Sequence, residues 1–253
     1  AVNTTGANNT AMGYLALDAN TTADFNVAVG KSSLGANTTG TSNTAVGSLT
    51  LDANTTGSSS TAVGYGALSA ATTGGTNSAF GYLALQDTTT ATGNVGLGYQ
   101  AGANITTGSN NTAVGTNALL TPTTASNNVG VGYAALYSNT SGYSNTAVGT
   151  NALASNTTGV VNDAFGTGAL QANTTGVHNT ALGFNALNDN TSGGYNTAVG
   201  NYALQTATTA SQNVAMGYAA LNLNTTGANN TAVGMSSMSS NTTGDNNTAV
   251  GLS

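Results

Sequence analysis

Cysteine, glutamate and arginine are absent from the 253 residues, and lysine and histidine occur once each. Without thiols, neither disulfides nor thiolate metal sites can brace the fold. The lone imidazole, His178, has no Cys or Glu to work with, so neither a nucleophilic triad nor a histidine-rich zinc site can be assembled. Seven Asp against Lys31 give a formal net charge of -6, which lacks the basic footprint that a nucleic-acid backbone requires. No apolar run approaches the length of a membrane span. The aspartates fall at different places in a repeated phrase, unlike the one-per-repeat calcium arrangement of bacterial β-rolls. Lys31 and Ser32 follow Gly30 without the earlier glycine of a phosphate-binding loop. The expectation is therefore a chain that is not an enzyme and holds no cofactor, metal or nucleic acid.

What is present is Thr, Asn, Gly and Ala in a fixed period. The phrase Asn43-Thr44-Ala45-Val46-Gly47 recurs from Gly13 to Gly251 in seventeen-residue steps, with no insertion or deletion in fifteen copies. Copies that never change length must stack, because a loose linker repeat would tolerate slippage. Few large aliphatic residues would by themselves suggest low complexity, yet disordered tracts have no reason to hold a phase. The reading is all-β: a parallel β-solenoid of about fifteen 17-residue coils, forming one uninterrupted array over residues 1–253. Both ends break inside a repeat without a capping unit, so more protein or another copy is expected beyond each.

Numbering the repeat from its Asn makes Asn43 to Ser59 one coil. Two short strands per coil are expected, at positions 1 to 5 and 11 to 14, with turns between them. Position 1 is Asn except at Ser60. Stacked coils would make Asn9, Asn26, Asn43, Asn77, Asn94 and Asn111 a ladder of amides about 4.8 Å apart. Position 12 is the weaker candidate, since Ala71, Thr88, Ile105, Pro122 and Ala207 interrupt it. The competing reading of so much Asn is glycosylation at the N-T-T and N-T-S sites, among them Asn37, Asn54 and Asn173. Position 13 is always Thr, and Thr21, Thr38, Thr55 and Thr72 belong to its row.

Position 4 is always large and apolar, and position 9 is Leu except at Gly102 and Met238; these two are the expected core. Positions 3 and 5 are only Ala or Gly, which calls for a close backbone, either the opposite wall of a thin coil or a neighbouring chain, and this face is expected to lie against a second chain. Tyr14, Tyr65, Tyr82, Tyr99, Tyr133 and Tyr218 fall at position 6, a candidate surface aromatic row. Wherever position 15 is Ala instead of Gly (Ala23, Ala91, Ala125, Ala210), the next coil carries Val at position 2. A left-handed turn that glycine allows and alanine resists would account for this by burying that Val.

The N-T-A-V-G phrase followed by N-T-T-G resembles the head repeats of trimeric autotransporter adhesins and the repeat arrays of phage tail-fibre proteins. The resemblance implies a parallel β-roll in an intertwined trimer, outside a cell or on a virion, with a cell-surface or glycan target. Two buried side chains per coil are few for seventeen ordered residues, which independently favours a homo-oligomer. A single lysine offers trypsin little, in keeping with an extracellular place. Two alternatives remain. One is an ice-binding solenoid using its threonine ranks. The other is an end-to-end filament, because Ser253 stops at position 7 and Ala1 begins at position 10, two residues short of a continuous coil.

Overall fold

The computed structural model describes residues 3–252 and divides by contact into two units, Ala1–Asn127 and Asn128–Ser253. The filament register expected from Ala1 and Ser253 lies outside the described residues. The first unit carries β1 (Thr10–Met12), β2 (Val27–Val29), β3 (Thr44–Val46), β4 (Thr61–Val63), β5 (Ser78–Phe80), β6 (Val95–Leu97) and β7 (Thr112–Val114). The second carries β8 (Val129–Val131), β9 (Thr146–Val148), β10 (Asp163–Phe165), β11 (Thr180–Leu182), β12 (Thr197–Val199), β13 (Val214–Met216), β14 (Thr231–Val233) and β15 (Thr248–Val250). Within each unit neighbouring strands pair parallel, every residue opposite the one seventeen places on, as Ala45 is opposite Ala62 and Ala181 opposite Ala198. This is a β-solenoid in both units, and no helix occurs among the described residues.

Each coil has one regular strand, at positions 2 to 4, instead of two. The stretch expected as a second strand still bonds coil to coil, Thr38 donating to Thr55 O at 2.9 Å and Thr55 to Thr72 O at 2.9 Å. Its backbone bends at positions 13 and 14, as at Thr55 and Thr56, which breaks the extended run.

The core corrects the sequence expectation. Leu51, Leu68, Leu153 and Leu170 at position 9 are fully buried, as expected, but their partners are the position 3 alanines Ala45, Ala62, Ala147 and Ala164, also fully buried. Position 4 instead faces out, with Phe80 at 40%, Leu97 at 48% and Leu182 at 49% exposure. Side chains alternate along a strand, so one of positions 3 and 4 must turn outward. The interior is thin enough that the small one goes in: a Cβ built on Gly96 would lie 2.8 Å from Leu85 Cγ. The alanine face is therefore used inside its own coil, not against a second chain.

Position 5 is small for a different reason. Its glycines run at φ near +135°, for example +138° at Gly47, and a Cβ there would sit 2.5 Å from Gly64 O of the next coil. Non-glycine residues also take left-handed angles at positions 7, 9 and 17, as Leu49 (57°), Leu51 (49°) and Ser59 (61°) do. Such angles cost an L-residue about 1–2 kcal/mol each, but they aim the backbone usefully. Gly47, Leu49 and Ser59 donate back to Val29, Lys31 and Thr41 at 2.8, 2.9 and 3.0 Å, while Thr44, Leu51 and Thr55 donate forward to the next coil.

Position 15 does not behave as its alanines suggested. Neither Gly57 nor Ala91 has a positive φ, and Val95, which follows Ala91, is 37% exposed. Glycine serves there because a Cβ would crowd the next coil and the local amide, 2.5 Å from Asn54 Oδ1 at Gly57. The pairing of Ala at position 15 with Val at position 2 has no explanation in the structure.

Candidate interaction surface

The interior amides are occupied. At position 1, Asn26 N–H donates to Asn9 Oδ1 at 2.8 Å and Asn43 N–H to Asn26 Oδ1 at 2.9 Å, while Asn26 and Asn43 Nδ2 donate to Gly40 and Gly57 O at 2.9 and 2.8 Å. Each side chain thus satisfies a backbone donor of the next coil and a carbonyl at position 15. Asn77, Asn94 and Asn111 continue the relay, with Asn94 N–H 2.9 Å from Asn77 Oδ1 and Asn111 N–H 2.8 Å from Asn94 Oδ1. At Ser60 the hydroxyl replaces the amide as acceptor, 3.3 Å from Asn77 N.

Position 12 forms the more direct chain of side chains, contrary to its ranking in the sequence. Asn54 Nδ2 donates to Asn37 Oδ1, and Asn156 and Asn173 repeat this in the second unit, each at 2.9 Å. The chain stops where alanine interrupts it, and the last acceptors, Asn54 Oδ1 before Ala71 and Asn190 Oδ1 before Ala207, are buried without a partner. Asn37, Asn54 and Asn173 are at most 1% exposed, which withdraws these amides from a glycosylating enzyme in the folded chain.

The threonine row at position 13 is likewise committed: the hydroxyls of Thr21, Thr38, Thr55 and Thr72 donate to the backbone carbonyl of the next coil at 3.0 to 3.3 Å. Their neighbours at position 14, such as Thr39 and Thr56, are exposed and form a single rank.

The surface that remains is apolar and repeated. In the first unit Val46, Phe80 and Leu97 at position 4 lie beside the tyrosines of position 6. Tyr65, Tyr82 and Tyr99 stack face to face with ring centres 5.5 and 5.4 Å apart. Tyr14, 71% exposed, does not join that stack. In the second unit Tyr133 is 55% exposed, and Tyr218 packs edge-on against Tyr202 at 5.8 Å instead of stacking.

Sequence reasoning missed Tyr202, at position 7, and a row of amides at position 10 of the second unit. Asn188 Nδ2 reaches Gln171 Oε1 at 3.5 Å, and Asn222 Nδ2 reaches Gln205 Oε1 at 3.2 Å. The seventeen-residue step alone would have placed these side chains in register. His178 stacks on Tyr195 at 4.9 Å, and among the described residues no three His, Cys, Asp or Glu side chains come together. Comparison with family models, curated proteins and solved structures returned no match.

Proposed function

We propose that the chain is a non-enzymatic structural repeat segment of an extracellular fibre, stalk or adhesin, built as a homotrimer in which copies pack along the strand face. The carrying observation is the exposed row at position 4, where Phe80, Leu97, Phe165, Leu182 and Met216 are each 39% to 49% exposed beside an interior that is already filled. Contiguous apolar surface of this kind marks interaction faces in proteins generally. The packing face is then formed by positions 4 and 2, since positions 3 and 5 are spent within the coil stack. The adhesin and tail-fibre resemblance supports the same assembly and the same extracellular place.

Light scattering on the soluble chain tests this. A mass three times that of the 24.4 kDa chain is expected, falling to the monomer when Phe165 and Leu182 are both changed to Glu. A monomeric wild-type chain overturns the assembly. The ice-binding alternative is disfavoured because the position 13 hydroxyls are committed to backbone carbonyls, and the outward threonines of position 2, such as Thr44 and Thr61, share their face with the large apolar residues of position 4. Appreciable thermal hysteresis would reverse that preference.

A further inference from the structure

One concavity in the second unit breaks the regularity of the repeat, and its cause is a change of side-chain size along one column. Position 7 carries Tyr202, then Ala219, then Ser236 in successive coils. The step from tyrosine to alanine leaves a cleft of about 380 Å³, a size in the range of small-molecule sites. Tyr202, Tyr218 and Leu223 form its apolar walls, and the position 10 row of Gln205, Asn222 and Ser239 forms its polar side.

We propose that this cleft binds a neutral saccharide ring. No charged residue lines it, so it offers nothing for a phosphate, a carboxylate or a cation to pair with. A sugar ring instead presents an apolar C–H face and a rim of hydroxyls, each both donor and acceptor. An exposed aromatic ring suits the first, and planar amides suit the second. Tyr218 is 54% exposed, because edge-on packing against Tyr202 covers one ring face at most. Tyr82 of the first unit is instead flanked by a ring on each side, its centre 5.5 Å from that of Tyr65 and 5.4 Å from that of Tyr99.

The amides are fixed and still have capacity. Asn222 Nδ2 donates to Tyr202 O at 3.0 Å and to Gln205 Oε1 at 3.2 Å. That orients both side chains and leaves Gln205 Nε2 and Asn222 Oδ1 without a partner among the described residues: one donor group and one acceptor side by side, suited to two adjacent hydroxyls. Holding the polar groups in place before binding lowers the ordering cost of capture. The site lies within one unit of one chain, and it deepens the adhesin reading by naming what the surface would take hold of.

The test is saturation-transfer NMR on the full chain with glucose, galactose and N-acetylglucosamine as probes and sialic acid as an anionic control. Transfer to at least one neutral sugar is expected. Ala219→Tyr fills the cleft with a residue that position 7 already accepts one coil earlier, and should weaken binding at least about tenfold. Asn222→Ala removes the polar pair and should weaken it as well, with Ala103 showing that position 10 tolerates alanine. No transfer to any neutral sugar, transfer to sialic acid alone, or binding retained in Ala219→Tyr would each overturn the site. Light scattering on the same samples reports the assembly separately, so a trimer that binds no sugar refutes the cleft and spares the fibre.

Discussion

The two units share one backbone plan and differ in how they fill position 12. In the second unit that column reads Asn139, Asn156, Asn173, Asn190, Ala207, Asn224, Asn241; in the first, Asn20, Asn37 and Asn54 give way to Ala71, Thr88, Ile105 and Pro122. Position 1 shows no such freedom, with Ser60 its one exception. The hydrogen bonds explain the contrast. Position 12 amides bond one another and a position 15 carbonyl that position 1 also serves, as Asn26 and Asn37 Nδ2 both reach Gly40 O at 2.9 Å. Where position 12 is not Asn but position 1 is, position 1 still covers that carbonyl: Asn77 reaches Ala91 O and Asn111 reaches Ala125 O, both at 2.9 Å. Position 12 is redundant, and losing a donor and its acceptor together costs little. Position 1 alone also receives the next coil's N–H.

The largest expected effect follows from that difference. Asn196→Leu, in the coil whose position 12 is Ala207, strips partners from Asn213 N–H, 3.0 Å away, and from Ala210 O, 2.8 Å away, in the buried interior. It should cost about 3 kcal/mol, since each orphaned buried group costs about 1–3 kcal/mol. Urea unfolding would measure it, and a loss no greater than that of Asn173→Ala at position 12 would break the distinction.

Next is the one coil of the first unit that exchanges its core. Gly102 replaces the position 9 leucine while Ile105 enters from position 12, and a Cβ on Gly102 would lie 3.0 Å from Ile105 Cδ1. Ile105→Ala should cost about 2–4 kcal/mol, and Gly102→Leu about 1–3 kcal/mol by overpacking. The double variant should be better than the sum by more than about 0.5 kcal/mol in a thermodynamic cycle. Strict additivity would mean that the two side chains do not share one space.

A smaller gain should come from mending the ladder. Ala71→Asn gives the orphaned Asn54 Oδ1 a donor and should stabilise by about 1 kcal/mol. Ala207→Asn should do the same for Asn190 Oδ1, since the coil of Asn20 already combines Asn at position 12 with Ala23 at position 15, Asn20 Nδ2 donating to Ala23 O at 3.2 Å. Failure of both single variants to stabilise would mean that the unpaired oxygens cost nothing where they lie.

The smallest effect concerns Asp52. Burial raises its carboxyl above the ordinary value against two weaker backbone hydrogen bonds that lower it. The folded state therefore favours the protonated form, and its contribution is present below the unfolded pKa and lost as pH rises through the raised one. Asp52→Asn should raise the melting temperature slightly at neutral pH and leave it unchanged in acid. A variant no more stable at pH 7 would contradict this.

The stacking, the Asn and Thr columns and the need for small residues at positions 3 and 5 were legible because each is a residue type held at one spacing. Which way the strand faced was not. Positions 3 and 4 are both apolar in every coil, so alternation alone allows either to point inward, and only the thinness of the interior decides for alanine. The left-handed leucines at position 9 left no compositional trace, since leucine is not a residue that announces such an angle. The cleft was missed because it arises from one large-to-small step in a column that varies freely, and a consensus averages such a step away.

The four right-side-of-the-Ramachandran stations in each coil, at positions 5, 7, 9 and 17, also govern how such a chain can change in length. Inserting one residue anywhere would shift side chains with ordinary handedness preferences onto the Gly47 station, where φ is +138° and only glycine fits. Every later coil would lose its register at once. Length variants that still fold should therefore gain or lose whole seventeen-residue turns, so growth by duplication is the route the geometry leaves open.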